Sequence, residues 1–448
     1  MSTRNYVKGD IKVLNAWAFY DWANSVYPLV ISTAIFPIFY GIITDDYILV
    51  GGYSIKSTAL ITYISTLAFL LLVIITPILS GIADYTGNKK LFMKLFCYAG
   101  SFSCIMLYNF NIESLEIGLL FYFIALIGFW CSLVFYNSYL PDIARQSQQD
   151  YISAKGYSMG YVGSVILLFV IILMVNFPDF FSIIDVNNIP AEIMAMKYSF
   201  VMVGIWWFLF SQYSFYHLPG RKYYLSKKDS VRNMSGNIIF NGFNELISVL
   251  NILKNKPVLK TFLLSFFIYS IALQTVILVA TYFGESEVNW SAEEKTSGLI
   301  ISILIIQLIA VLGSILAAFF SKKIGNLYTL IFFNFLWSAL CVYGFFVYEP
   351  IQFYVAAAFV GFAMGGIQSL SRSTFSKFLP KTTNTTSFFS FYDIAQKLSI
   401  VIGTFLFATI DQITGSMRYA IIFFLIFFVI GAIILIRLNI RINKNLMA

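Results

Sequence analysis

Twelve apolar segments of roughly twenty residues or more follow one another along this chain, with very little polar sequence between them. They fall at 13–40, 57–79, 91–110, 115–139, 156–177, 197–216, 258–283, 297–319, 327–347, 351–371, 385–409 and 417–437. A helix rises about 1.5 Å per residue, so each segment can cross a hydrocarbon core about 30 Å thick. Inside that core the backbone finds no water to bond, and the helix is the form that satisfies it locally. The expected fold class is an all-α integral membrane protein of twelve transmembrane helices. Charged residues are only 11% of the 448, under half of the roughly 25% usual in a soluble globule. A soluble α/β chain with a few buried runs does not fit. The function is expected to lie across or inside a bilayer.

The basic residues have a side. With both termini placed in the cytoplasm, 24 of the 29 Lys and Arg fall on inner connections or inner span ends, eight of them between Arg221 and Lys260. Only Lys56, Lys197, Lys295 and Arg418 fall outside, a strong inside-positive bias. The net charge of +8 therefore belongs to membrane topology, and no partner nucleic acid is expected. The predicted location is the cell membrane, multi-pass, with membrane lipids as neighbours.

Enzymatic chemistry has little provision. The four cysteines, Cys97, Cys104, Cys131 and Cys341, lie inside predicted spans and form no CxxC pair, so neither a disulfide framework nor a thiolate metal site is expected. His217 is the only histidine, too few for a zinc centre or a His-based triad. With no nucleotide cradle either, no cofactor and no enzymatic activity are expected. The first apolar stretch is too long for a signal h-region and carries Asp21 and Asn24, so it reads as a retained span.

The spans divide six and six around the longest connection, which sets predicted boundaries at 1–216, 217–257 and 258–448. Within the connection, Ile239, Phe243, Leu246, Leu250 and Leu253 recur at helical spacing. This predicts an amphipathic helix on the inner surface, with Lys254, Lys256 and Lys260 near lipid phosphates. A plain linker helix is the competing reading.

Polar residues within the spans cost roughly 2.5–3.5 kcal/mol each when ionised at mid-bilayer, so they tend to face a cavity or a partner. Asp21, Asn24 and Ser25 share one helical face with Pro28 and Ser32. Asp21 reads either as a carboxylate on a central path or as a tie to a neighbouring helix. Asp393 and Lys397 are four apart and can pair, with Gln396 alongside. Structural pairing and participation in coupling are both open there. Asn137, Tyr269 and Gln274 add hydrogen-bonding groups suited to a small polar or zwitterionic solute. Gly156, Gly160 and Gly163 line one face of the fifth span, where a neighbour can approach closely.

Between the second and third spans stands Gly81-Ile-Ala-Asp84-Tyr-Thr-Gly87-Asn-Lys89-Lys90. It resembles the cytoplasmic loop motif of the major facilitator superfamily: glycines for tight turning, an Asp that meets helix ends, and a basic cluster. Trp17-Ala-Phe-Tyr-Asp-Trp-Ala-Asn-Ser25, Phe135-Tyr-Asn-Ser-Tyr-Leu-Pro-Asp142, Gly365-Gly-Ile-Gln-Ser-Leu-Ser-Arg372 and Phe388-Phe-Ser-Phe-Tyr-Asp-Ile-Ala-Gln-Lys397 are similar to one branch of it. That branch holds bacterial transporters related to the fungal vacuolar amino-acid effluxers of autophagy. The resemblance implies the major facilitator fold, in two six-helix bundles, and secondary transport. In the second-half counterpart of the loop motif, Lys322 stands where an acidic residue is common, which implies an asymmetric latch.

On this footing the expected function is proton-coupled alternating access for an amino acid or similarly small polar metabolite, by a protein that works as a monomer. Asp21, Asn24, Asn137, Tyr269, Gln274, Asp393, Gln396 and Lys397 are the candidates for the solute or proton path. Gly81, Asp84, Gly87, Lys89, Lys90, Asp142 and Arg372 are the candidates for the cytoplasmic gate. The rival readings are an exporter of larger amphiphiles, drug-like or lysolipid, and a receptor or scaffold that kept the fold and lost transport.

Overall fold

Each apolar run becomes a helix, and most helices extend past the run into sequence that reads as loop. The computed structural model describes residues 6–50, 53–186, 189–226, 237–291 and 293–447. Its twelve spans are Ile11–Ile43, Ala59–Thr86, Lys89–Asn109, Ile112–Ile143, Gln146–Asn176, Ala191–Tyr224, Pro257–Glu287, Lys295–Ile324, Asn326–Phe345, Pro350–Phe378, Thr385–Thr414 and Met417–Lys444. With an even number of crossings, both ends of the chain and the connection after the sixth span share one side, termed here the linker side.

Two large apolar clusters form the interior. One gathers buried side chains between Val13 and Tyr224, around Trp17 and Trp207; the other runs from Val249 to Leu438, around Trp337, with Tyr161 of the fifth span joining it. Strong apolar side chains such as Leu67, Phe169, Leu312 and Phe405 remain exposed, as a lipid-facing surface requires.

The first span is not uniform. Residues Ile11–Asn24 are α-helical, Tyr27–Ile35 form a π-helix and Phe36–Ile43 return to α. Pro28 and Pro37 each lack an amide hydrogen, and the Thr33 hydroxyl bonds the Pro28 carbonyl at 2.9 Å, five residues back. On the far side, strands β1 (Tyr47–Val50) and β2 (Tyr53–Lys56) make an antiparallel hairpin, with Tyr47 opposite Lys56 and Val50 opposite Tyr53. Arg418 fastens the far end of the last six spans. It bonds Glu287 Oε2 at 2.8 Å and the Phe345 carbonyl at 3.0 Å, with its guanidinium 3.9 Å from the centre of the Tyr348 ring.

The connection after the sixth span holds a helix, Ile238–Lys254. It packs one face against the second span. Gly242, Glu245 and Val249 form its buried stripe, while Phe243 and Leu250, expected on the membrane-facing stripe, are exposed and Leu246 and Leu253 are half-buried. A side chain on Gly81 would overlap the Gly242 carbonyl. Gly81 therefore serves a helix crossing and sits within a helix that runs to Thr86; the expected turn falls to Gly87 alone, left-handed at φ 68°. Asn241 adds a bond to the Tyr85 hydroxyl at 3.0 Å, and Asn384 donates to Glu245 at 2.8 Å.

Candidate functional site

Asp21 enters the interior because the first span begins at Ile11, which puts the carboxylate about 15 Å along the helix axis. Arg372 arrives from the tenth span, 351 positions away, and is 2% exposed. Its Nη1 and Nη2 donate to Asp21 Oδ2 at 3.2 and 3.3 Å, and the Tyr136 hydroxyl donates to the same oxygen at 2.8 Å. The guanidinium also donates to Asn137 Oδ1 at 3.2 Å, to Ser153 Oγ at 2.9 Å and to the Ser153 carbonyl at 2.9 Å.

Aromatic rings complete the enclosure. The guanidinium carbon lies 4.2 Å from the Tyr157 ring centre, 4.8 Å from Trp17 and 5.5 Å from Tyr136. Trp17 stacks on Tyr136 with centroids 4.5 Å apart, held by an indole bond to the Tyr136 carbonyl at 2.8 Å. Ring faces carry negative potential, so they favour the buried cation without neutralising it. Gly156 makes the room: a Cβ there would stand 2.5 Å from Asp21 Oδ2 and 3.1 Å from Arg372 Nη2. Gly160 and Gly163 likewise lie against Ser25 and Trp22.

The ion pair spans the two apolar clusters, so two separate expectations, Asp21 on a path and Arg372 at a gate, meet in one constellation. Asn137 belongs to it directly. Asn24 lies buried one turn along, where its Oδ1 accepts from Ser25 at 3.4 Å and its amide nitrogen makes no hydrogen bond among the described residues. Tyr269 approaches from the seventh span and shares a 2.6 Å bond with Ser371, next to Arg372 in sequence. Gln274 and Gln396 are half-buried and join no hydrogen bond of the cluster.

Asp393 and Lys397 pair with each other, as their spacing allows, and Lys397 is fully buried. The ammonium stands 5.7 Å from the ring centre of Trp130 on the fourth span, so this pair of the eleventh span faces the first six.

On the linker side, Asp84 accepts the Thr386 amide at 3.2 Å and the Ser387 amide at 2.6 Å. These are orphan donors in the first turn of the eleventh span, where a carboxylate is favoured. Lys89 pairs with Asp142 and donates to the Ser138 carbonyl at 3.1 Å and Thr385 Oγ1 at 3.2 Å, between the rings of Tyr139 and Tyr224. Lys90 donates to the Leu218 carbonyl at 2.8 Å and so ties the third span to the end of the sixth.

A third contact was not anticipated. Asp150, in the second turn of the fifth span, accepts from Ser321 at 3.1 Å and Asn326 at 2.8 Å and pairs with Lys377. Lys322, marked in the sequence as a departure, is exposed. Hydrogen bonds between the first six and the last six spans also join Ser153 to the Ser369 carbonyl at 2.7 Å, Ser158 to Ser314 at 2.7 Å and Tyr161 to Gln368 at 2.9 Å. These contacts gather on the linker side and in the middle of the molecule.

The chain as a whole has known relatives. A family described as "Vacuole effluxer Atg22 like" matches residues 10–446. An uncharacterized MFS-type transporter of Bacillus subtilis, YxiO, is 32% identical over 422 residues, covering 94% of this chain and 93% of the relative. Autophagy-related protein 22 of Saccharomyces cerevisiae is 22% identical over 440 residues, with 86% and 79% covered. Among solved structures, the Escherichia coli fucose:proton symporter FucP superposes with TM-score 0.66 at 14% identity, over 95% of this chain and 97% of that one. A bacterial ferroportin homologue in an outward-facing state gives 0.64 at 10%, over 96% and 98%. These two show the fold alone, that of the major facilitator superfamily. With a match along nearly its whole length and a relative at 32% identity, the chain belongs to the Atg22-like effluxer family and is a membrane transporter of the major facilitator type.

Proposed function

We propose that the protein is a secondary active carrier that moves a small polar solute, an amino acid or a related metabolite, by alternating access with proton coupling. The observation that carries this reading is the buried Asp21–Arg372 pair. It is contributed by both halves of the chain, so it forms only while they are closed on the linker side. A carboxylate and a guanidinium that must part during opening leave one site for an ammonium or a proton and one for a carboxylate. Buried partners of this kind are worth retaining when they specify a state.

The linker side is the cytoplasmic side in this reading, on the strength of the basic-residue bias, and the membrane is the cell membrane. The polar contacts gathered there make the described state one that is shut toward the cytoplasm. Asp393 and Lys397 form a second pair that changes partners with state, and Asn24, Tyr269, Gln274 and Gln396 face the solute. Each six-span half moves as a unit, and one copy of the chain suffices.

Purified protein in proteoliposomes, given labelled amino acids under an imposed proton gradient, tests the reading. Concentrative flux of at least one of them, abolished by collapsing the gradient, is the expected result. Flux that ignores the gradient removes the coupling. No flux for any amino acid removes the solute class.

A further inference from the structure

Asp21, Asp84 and Asp150 of the first six spans each reach across to donors of the last six, and Asp21 also accepts the Tyr136 hydroxyl of its own half. Asp21 meets Arg372, Asp84 meets the amides of Thr386 and Ser387, and Asp150 meets Lys377, Ser321 and Asn326. The third set is built as a unit: Lys377 also donates to Asn326 Oδ1 at 2.9 Å, and Asn326 donates to Thr374 at 2.9 Å. Other buried charges nearby cancel within their own half. Lys89 pairs with Asp142 in the first half, the two sharing only the neutral Thr385 hydroxyl across the seam, and Asp393 pairs with Lys397 in the second. Lys155 turns to Asn15 at 2.7 Å, inside the first half.

This direction is not what two related halves would produce. At the first seam the acid sits near the end of the second span. Its counterpart at the second seam is the end of the eighth span, and there the chain carries exposed Lys322. The acid has moved instead onto the facing fifth span, as Asp150. Both seams and the central pair therefore share one polarity: a carboxylate on the first half meets, on the second, a guanidinium, an ammonium or the partly positive N-terminus of the eleventh span. Once the linker side opens, the passage has one wall of each sign. A solute with a single charge is drawn to one wall and repelled by the other; a solute with both charges matches the two at once.

We propose that this single polarity makes the linker-side passage selective for zwitterions, oriented with the ammonium toward the first half and the carboxylate toward the second, and that Asp150 with Lys377 forms its outermost stage. The proposal rests on the carrier reading above and narrows its solute class.

The test uses the full chain in proteoliposomes with a labelled mixture of neutral L-amino acids, challenged by primary alkylamines and by alkyl carboxylates. Spin labels at Tyr151 and Lys322, both exposed on opposite sides of the second seam, report closure. Asp150→Asn and Lys377→Met should each add a longer-distance population, so either variant serves if the other fails to fold. The exchange D150K with K377D should restore the short distance, because the pair re-forms, yet leave uptake at least tenfold below native, because the wall charges are reversed. The single-charge competitors should inhibit native uptake at least tenfold less than unlabelled neutral amino acids do. Full recovery of uptake in the exchanged variant, or equal inhibition by amines or carboxylates, overturns the proposal. Native distances in both single variants remove Asp150 from the passage. If native protein takes up no amino acid while its distances still respond to the variants, the solute class proposed above has failed, and the zwitterion reading with it.

Discussion

Replacing Asp21 by Asn keeps the shape of the side chain and removes its charge from a pocket that contains a full guanidinium. Asp21 Oδ2 accepts three hydrogen bonds, from Tyr136 and twice from Arg372. Removing one partner of a buried ion pair costs about 3–5 kcal/mol. Here the lower end applies, because Arg372 keeps its bonds to Asn137 and Ser153 and its three aromatic neighbours. About 3 kcal/mol is roughly a hundredfold change in an equilibrium. It falls on the linker-closed state, where the pair exists. Spin labels at Tyr151 and Lys322 should accordingly report a shift of that order toward opening. Gradient-driven accumulation of labelled amino acids should drop at least tenfold, while counterflow at equal pH persists, since exchange needs no net proton movement. An unmoved distance distribution together with undiminished gradient-driven uptake would refute the reasoning, because the pair would then neither hold the closed state nor carry coupling.

Three further outcomes follow from packing and pairing. Gly156→Ala puts a methyl 2.5 Å from Asp21 Oδ2 and should lower uptake several-fold in a folded protein; uptake at the native level would mean that the cluster tolerates displacement. Lys397→Met strands Asp393 and should destabilise by about 3 kcal/mol, whereas the double change with Asp393→Asn should recover most of that. A double variant no more stable than Lys397→Met alone would show that the two residues are not energetically coupled. Arg418→Met removes the bonds to Glu287 and Phe345 and should lower the melting temperature in detergent by several degrees, with transport per folded molecule unchanged; an unaltered melting temperature would make that contact dispensable.

The spans were legible because lipid leaves the backbone a single economical solution, and an apolar run of sufficient length is its direct trace. Local spacing also sufficed for Asp393 and Lys397, four apart on one helix. Asp150 escaped for the opposite reason. It stands in Gln146-Ser-Gln-Gln-Asp150, polar sequence that reads as loop, yet the fifth helix starts at Gln146 and carries it to the seam. The Asp21–Arg372 contact has no local trace either, since only the folding of both halves brings those positions together. Gly81 was misread because a glycine beside a loop motif suggests a turn, while its partner, Gly242, lies in a distant helix. The far-side hairpin did leave a trace in Tyr47–Lys56, a β-branched and aromatic run and an alternating one on either side of Gly51 and Gly52 that suit strands, but they are short beside the spans.

The π-helical stretch of the first span has a consequence for how the chain could change length. Bonds that reach back five residues accommodate one residue more than an ordinary turn holds. Deleting one residue between Tyr27 and Ile35 should let the stretch relax to a regular helix, with Asp21 on one flank and the packing of Phe36 and Phe39 on the other kept in phase. The same deletion between Ile11 and Asn24 would instead rotate every side chain that follows away from its partner.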